Sequence, residues 1–286
     1  SAHQDSNTTL MTRWGYGPTA ASSVRGDTLY CGSGSYLIIL DISDPDNPIE
    51  LGKIIFPSLV RNIHLWGDYA LVANDRGGLR IVDIADPTMP AETGVFSTSG
   101  EAHHVVARGD FAYVSDGFCG LRIVDMSDPA NPVEAGQVSF GGYAYEAALE
   151  GNHVYVAGGF AGLQIVDVAE PAQPSSVGFF DDFIEQSGSG YAHGVVVRNS
   201  YAYVASMVSG LRIIDVSDPV NPTEAGFVNT DLTTVRNITL DGHYAYVSGL
   251  GDLLRVIDIA DVENPIAVTS LDGSGTGIDL TLHNST

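Results

Sequence analysis

"GLRIVDMSDPANPVEAG", Gly120–Gly136, runs a short apolar stretch into a proline-rich turn. The phrase is not alone. "GLRIVDIADPTMPAETG" begins at Gly78, "GLQIVDVAEPAQPSSVG" at Gly162 and "GLRIIDVSDPVNPTEAG" at Gly210. Aligned on the Asp that closes each apolar run, the chain offers Asp41, Asp83, Asp125, Asp167, Asp215 and Asp258, at intervals of 42, 42, 42, 48 and 43 residues. A second landmark precedes each: Gly26-Asp27, Gly67-Asp68, Gly109-Asp110, Gly151-Asn152, Asn199-Ser200 and Gly242-His243. Each pair lies between two apolar runs and reads as a two-residue hairpin turn, because Gly and Asn tolerate the positive φ such turns demand.

Each unit therefore holds four short strands, predicted in the third at His104–Arg108, Phe111–Ser115, 121–126 and 133–139. The second and third strands are rich in Val, Ile, Tyr and Leu, as buried strands are. No segment shows helical periodicity. Four strands per repeat of about 42 residues is the signature of a β-propeller, one blade per unit. The prediction is an all-β, six-bladed β-propeller of four-stranded blades, a single domain over 1–286 with its repeats at 17–271. Asp-Pro-x-x-Pro is a turn device, in which Asp accepts backbone hydrogen bonds and each Pro fixes φ and stops a strand. It recurs at Asp44-Pro45, Asp86-Pro87, Asp128-Pro129, Glu170-Pro171 and Asp218-Pro219, and weakens to Asp261-Val262. These acids lack the alternating oxygen ligands of a calcium loop.

The recurring phrase, of the form GLRIVDISDP, resembles the LVIVD-repeat family of β-propellers, found largely on bacterial and archaeal surfaces. The resemblance implies the fold and a surface setting. It is nearly silent on activity, because the motif consists of core strands and turns.

Both ends continue the pattern. "LMTRWGYG", Leu10–Gly17, takes the place of the fourth strand of a preceding unit, and "GIDLTLHNST", Gly277–Thr286, that of the first strand and turn of a following one. An extra strand is expected at each terminus, within 1–16 and 272–286. Such strands either pack on their own protein, as an augmented blade or partial seventh wedge, or add to a neighbour's open blade edge. The second course builds fibres or layers.

Composition narrows the partners. The chain has 35 acids against 12 bases, a net charge of −23, with Lys53 its only lysine. That balance argues against nucleic acid and anionic membranes, since phosphate binding needs clustered cations. Hydrophobic residues make up 44% of the 286, so the chain has the means to fold around a core. No apolar stretch is long enough for a membrane-spanning helix, so no membrane insertion is expected. The opening "SAHQDSNTTL" has neither an initiator Met nor an apolar segment, as in a processed or trimmed chain. Near-absence of Lys beside abundant Gly, Ser, Thr and Tyr suits an extracellular or cell-surface protein. Cys31 and Cys119 occupy non-equivalent repeat positions and do not fix the redox compartment.

Propellers bind ligands at the mouth of the axial channel, where each innermost strand begins. The alignment places Ala20, Arg61, His103, Tyr145, His193 and Arg236 there, followed by Ala21, Asn62, His104, Glu146, Gly194 and Asn237. Scaffold positions repeat, whereas these vary. Arg61 and Arg236 are positioned to clamp a carboxylate or acidic sugar, or to pair with Glu146 and channel carbonyls. His103, His104 and His193 invite a metal reading, but adjacent residues of a strand point to opposite sides, so no metal and no cofactor are expected. The extra residues in "FFDDFIEQSGSGYAH" form a loop overhanging the mouth, with Phe183 and Tyr191 disposed to stack on a sugar. Arg80, Arg122, Arg212 and Arg255 recur at one position, as do Tyr30, Tyr113, Tyr155, Tyr203 and Tyr246. The first set reads as between-blade packing and the second as core aromatics.

No nucleophile elbow, P-loop or dinucleotide fingerprint is present. Asn7, Asn237 and Asn284 head sequons, of which Asn7 and Asn284 are the accessible glycosylation candidates if the protein is exported. The expectation is a non-catalytic structural or adhesive propeller that self-assembles by terminal-strand exchange, partnering other copies, surface proteins or glycans. The alternative is a propeller that binds carbohydrate or an acidic small molecule at the channel mouth, with an enzyme third.

Overall fold

The protein is described here by a computed structural model over residues 19–181, 191–207, 209–230, 234–250 and 254–271. Twenty-four strands form six four-stranded sheets, each antiparallel with its strands in sequence order. Blade 1 runs from Thr19–Arg25 to Ile49–Ile55, blade 2 from Asn62–Trp66 to Ala91–Phe96, and blade 3 from His104–Arg108 to Val133–Val138. Blade 4 runs from Glu146–Glu150 to Ser175–Phe180, blade 5 from Ala192–Arg198 to Thr223–Val228, and blade 6 from Thr234–Asp241 to Ile266–Leu271. The predicted all-β propeller with six blades is the fold observed. The two expected terminal strands, with Asn7 and Asn284, lie outside the described residues.

The hairpin turns carry positive φ as expected, 57° at Gly109 and 55° at Asn199. In blade 3 the third strand stops at Asp125, one residue short of its predicted end. Asp125 Oδ1 accepts the Ser127 N–H at 2.9 Å, while Met126 N donates back to Asp110 O at 2.7 Å, which turns the chain off the ladder. The same Asp-to-i+2 bond recurs at the closing Asp of the other five blades. In the proline loop that follows, Asp128 accepts Ala130 N–H at 3.1 Å and Asn131 Nδ2 at 2.9 Å.

That loop is also a clamp on the preceding blade. A Cβ added to outer-strand Gly94 would sit 2.0 Å from Pro129 O. Gly52, Gly136, Gly178 and Gly226 meet the next blade's loop in the same way, at 2.4 Å from Pro87 O, 2.5 Å from Pro171 O, 2.0 Å from Pro219 O and 2.2 Å from Val262 O. The phrase therefore ends in Gly because the loop of the following repeat rests on it. In blade 6 the equivalent position is Thr269, the cross-strand partner of Val256 as Gly94 is of Ile81.

The core is divided among the seams between blades. Tyr113, Leu121 and Ile123 of blade 3, all buried, pack on Val154, Val156, Val166 and Val168 of blade 4. Equivalent clusters join blades 1 and 2, 2 and 3, 4 and 5, and 5 and 6. These side chains are branched and largely free of polar atoms, so each seam is a dry slab that excludes water from the ladders beneath it. The recurring tyrosines of blades 1, 3, 4 and 5 are buried to 4% exposure or less, as core aromatics should be.

The recurring arginines correct an expectation. Three of the four pair within their own blades rather than between blades: Arg80 with Glu92, Arg122 with Asp116 and Glu134, Arg212 with Glu224. Third and outer strands are hydrogen-bonded neighbours, so the Arg reaches a Glu across one ladder. Arg255 reaches outside its own blade as expected, donating to Thr230 O at 3.2 Å in the segment that joins blade 5 to blade 6.

Candidate functional site at the channel mouth

The first strand of each blade starts at the axis, so its entry residue faces the channel. A cavity of about 610 Å³ opens there, lined by Ala20, Arg61, His103, Tyr145, His193 and Arg236, one from each blade. Asn62, His104, Glu146 and Asn237 line it too, with Phe160, Tyr191 and Met207. All the singled-out entry positions are thus brought together, and Tyr191 joins them. Phe183 lies outside the described residues. His103 and His104 both border the cavity, contrary to the expectation that only one would. His104 manages this from a seam: its Nδ1 accepts Ala147 N–H of the next blade at 3.4 Å, and its Nε2 lies 3.8 Å from Glu146.

The two arginines differ. Arg61 donates from Nε and Nη2 to Asp75 Oδ2, at 2.8 and 2.6 Å, instead of to Glu146 or a channel carbonyl. Asp75 has φ of 49° where the equivalent Gly117 and Gly159 have 57° and 62°. A carboxylate thus stands in a left-handed position the other repeats give to glycine. Arg236 has no such carboxylate among the described residues, and its Nε is buried without a hydrogen-bond partner. A buried guanidinium N–H left unpaired is unfavourable by about 1–3 kcal/mol, so it favours an incoming acceptor.

The histidines are neutral, and their partners fix the tautomers. His193 Nδ1 lies 2.9 Å from Arg236 O, and a carbonyl only accepts, so Nδ1 carries the proton and Nε2 the lone pair. Burial, first of its causes, lowers the His193 pKa to about 4 and the His104 pKa to about 3. His103 Nε2 meets Tyr143 OH at 2.6 Å, and that hydroxyl donates to Glu101 Oε2 at 2.5 Å. Glu101 is held ionised, its pKa lowered first by the Tyr143 bond and then by Arg76, so the hydroxyl's proton points to Glu101 and His103 donates from Nε2.

Aromatic rings complete the wall. Tyr145 stacks on His193 with centroids 4.5 Å apart and lies 4.6 Å from Tyr143. Its hydroxyl bonds that of Tyr191. At the rim, Phe118 and Phe160 stand edge-on against Tyr143 and Tyr191 and are 80% and 73% exposed. Large exposed phenylalanines beside a cavity are contact surface rather than core.

Sequence reasoning missed Asp75, Glu101, Tyr143 and the two phenylalanines. The signal was available. Glu101, Tyr143 and Tyr191 are equivalent to one another, two residues before the entry row, and period-2 alternation puts both rows on one face. The residue between is the constant Ala102, Ala144 or Ala192, whose backbone bridges Asp75, Gly117 or Gly159 of the preceding blade. Among the described residues, no group of three or more His, Cys, Asp or Glu side chains is arranged to hold a metal ion.

Comparison with known proteins agrees with this architecture. A protein from Lactobacillus plantarum is 14% identical with a TM-score of 0.79, over 90% of this chain and 85% of its own. The periplasmic gluconolactonase of Pseudomonas aeruginosa is 13% identical with a TM-score of 0.75, over 90% of this chain and 86% of its own. A protein from Bacteroides uniformis, provisionally assigned as a 6-phosphogluconolactonase, is 14% identical with a TM-score of 0.73, over 88% and 85%. At these identities the likeness is one of fold. No curated protein matches the chain in sequence. The LVIVD repeat, in contrast, matches at residues 17–54, 59–98, 99–139, 141–182, 189–230 and 234–272, so the chain belongs to the LVIVD repeat family.

Proposed function

We propose that the channel mouth binds a small acidic sugar, its carboxylate on Arg236 and its ring against the Tyr145–Tyr191 wall. The observation that carries this reading is the buried Arg236 Nε with no partner among the described residues. Arg61 is already neutralised by Asp75, which leaves Arg236 to set the sign of the ligand. The ring stack supplies a flat apolar face of the kind that sugar C–H groups cover, and His193 Nε2 supplies an acceptor for a hydroxyl. Saturation-transfer NMR with glucuronate tests it: signal is expected from the native protein and lost in Arg236→Gln. Equal signals from both proteins, or none from either at millimolar ligand, defeat the reading.

A second reading has one observation behind it. The Glu101–Tyr143–His103 relay holds a neutral histidine at a fixed orientation beside the cavity, as general-base chemistry requires. Two fold relatives are named for lactones of sugar acids. Hydrolysis of glucono-1,5-lactone, abolished by His103→Gln, would support it, and turnover no faster than the buffer rate would remove it. The structural or adhesive role, with strand exchange and an extracellular setting, is a third proposal. It rests on 1–16 and 272–286 and on composition, and electron microscopy of native and end-deleted protein tests it.

A further inference from the structure

The turn between the second and third strands of a blade lies at the channel end, and its third residue is Arg76 in blade 2, Phe118 in blade 3 and Phe160 in blade 4. Arg76 fills the position without an aromatic ring, so the turn itself does not require one. Phe160 nevertheless borders the cavity and is 73% exposed. It continues the ring wall outward: its centroid is 4.5 Å from that of Tyr191, which is 5.5 Å from that of Tyr145. It also lies on the Arg236 side of the mouth. Gly159 exchanges backbone bonds of 2.9 and 3.1 Å with Ala192, which seats Phe160 over the entry of blade 5. His193, the next residue, bonds the Arg236 carbonyl of blade 6. Phe118 leans instead on Tyr143 of blade 4, beside the Glu101 carboxylate, and is not among the residues lining the cavity.

We infer that Phe160 forms a second sugar subsite, so that the ligand is an oligosaccharide with the acidic sugar as its terminal unit and a neutral sugar next, lying on the Phe160 ring. This rests on the reading of the mouth given above. Size, hydrogen bonding and charge fix the chemistry. The cavity of about 610 Å³ is in the range of roughly 300–1,000 Å³ that takes drug-sized ligands, which are larger than one sugar ring. The bond between the Tyr145 and Tyr191 hydroxyls uses one of their two protons, and the other can be donated to the oxygen that joins the two sugars. Arg61 and Arg76 are already paired with Asp75 and Glu101, in a chain of 35 acids against 12 bases. Arg236 accommodates one carboxylate, and the surrounding charge disfavours a second, so the unit on Phe160 is neutral.

Calorimetric titration at fixed ionic strength compares glucuronate with cellobiouronic acid, in which glucuronate is joined to glucose. Cellobiouronic acid is expected to bind about tenfold more tightly, the gain of stacking one further ring. Phe160→Ala should bring the ratio of the two affinities to about one, Phe160→Tyr should restore it, and Phe118→Ala should keep it. Equal affinities in the native protein, a ratio that survives Phe160→Ala, or one lost equally in Phe118→Ala each overturn the subsite, while glucuronate binding that depends on Arg236 leaves the mouth reading standing. Cellobiouronic acid bound as tightly by Arg236→Gln overturns the mouth reading and the order of units with it, and binding of neither compound removes both.

Discussion

Gly94→Ala isolates the contact that locks one repeat onto the next. The added Cβ would lie 2.0 Å from Pro129 O and 3.1 Å from Pro132 Cδ. The first distance is more than 1 Å inside ordinary contact, and the atom it meets is backbone, so the loop of blade 3 must withdraw. Overpacking of this kind is unfavourable by about 1–3 kcal/mol. Gly94 does not have positive φ, so Ala recovers about 0.4–1 kcal/mol by restricting the unfolded chain. The balance is a loss of about 1–2 kcal/mol, which for a chain of this size lowers the thermal midpoint by about 2–4 °C per kcal/mol. Scanning calorimetry is the assay, with two companions. Gly109→Asn, at a hairpin turn with nothing within 4 Å and an Asn counterpart at 199, should shift the midpoint negligibly. Thr269→Gly should destabilise by about 0.5–1 kcal/mol through backbone entropy alone, with no contact to gain. If Gly94→Ala is as stable as the native protein or more so, the loop is not seated on the glycine and the account of the phrase fails.

Asn74 is 0% exposed and its Nδ2 donates to Ser58 O at 2.7 Å and Leu59 O at 3.1 Å, so it holds the connection between blades 1 and 2. Asn74→Ala should lower stability by about 1–3 kcal/mol by leaving those carbonyls unpaired, and urea unfolding showing no change would contradict this. Acid should also destabilise the ring. His104 and His193 have folded pKa values of about 3 and about 4, below the unfolded value near 6.5, so the unfolded chain takes up protons first. Their contribution is fully present above about pH 6.5 and is lost as pH falls toward 4; a midpoint flat from pH 7.5 to 4.5 would refute it. Asp75→Gly should leave stability within about 1 kcal/mol, because relief of a left-handed non-glycine residue offsets the lost ion pair. It should also tighten glucuronate binding by releasing Arg61, and weaker binding would mean that Asp75 organises the site.

The fold was legible because its determinants repeat. Six closing aspartates and six hairpin pairs locate the strands to within a residue, since turn chemistry is local and does not depend on the rest of the chain. The entry row of the channel was legible for the converse reason, that unlike residues stood in a repeated frame. Arg61's partner was not legible. Asp75 sits fourteen residues away in a loop that reads as glycine-rich, and only the folded hairpin brings its carboxylate back to the axis. Most of the arginine row was misassigned because recurrence alone cannot distinguish a contact made within a blade from one made between neighbours. The partial burial of Tyr246, Leu254 and Val256 was hidden too: they match their counterparts in type, and exposure is a property of what lies opposite.

A repeated scaffold makes departures informative, and here the departures concentrate in two places. At the mouth, Asp75 stands in for a left-handed glycine, Glu101 and Tyr143 fill equivalent positions with unlike chemistry, and one arginine is paired while its counterpart is not. Where blade 6 meets blade 1, Thr269 stands in for a glycine, and Tyr246, Leu254, Val256, Leu29 and Ile42 are only half-buried. Neither departure is one that the repeat's own packing calls for, since every other repeat does without it. Each instead exposes a chemical deficit of definite kind, an unpaired guanidinium N–H in one case and apolar side chains in the other. The two lie in different regions of the molecule, one on the axis and one along a blade face, and the first points to a ligand of definite charge. Arg236→Gln should therefore abolish sugar binding and leave the thermal midpoint unchanged, and Leu254→Asp should lower the midpoint and leave sugar binding untouched; loss of both in either variant would mean that a single structural defect had been read.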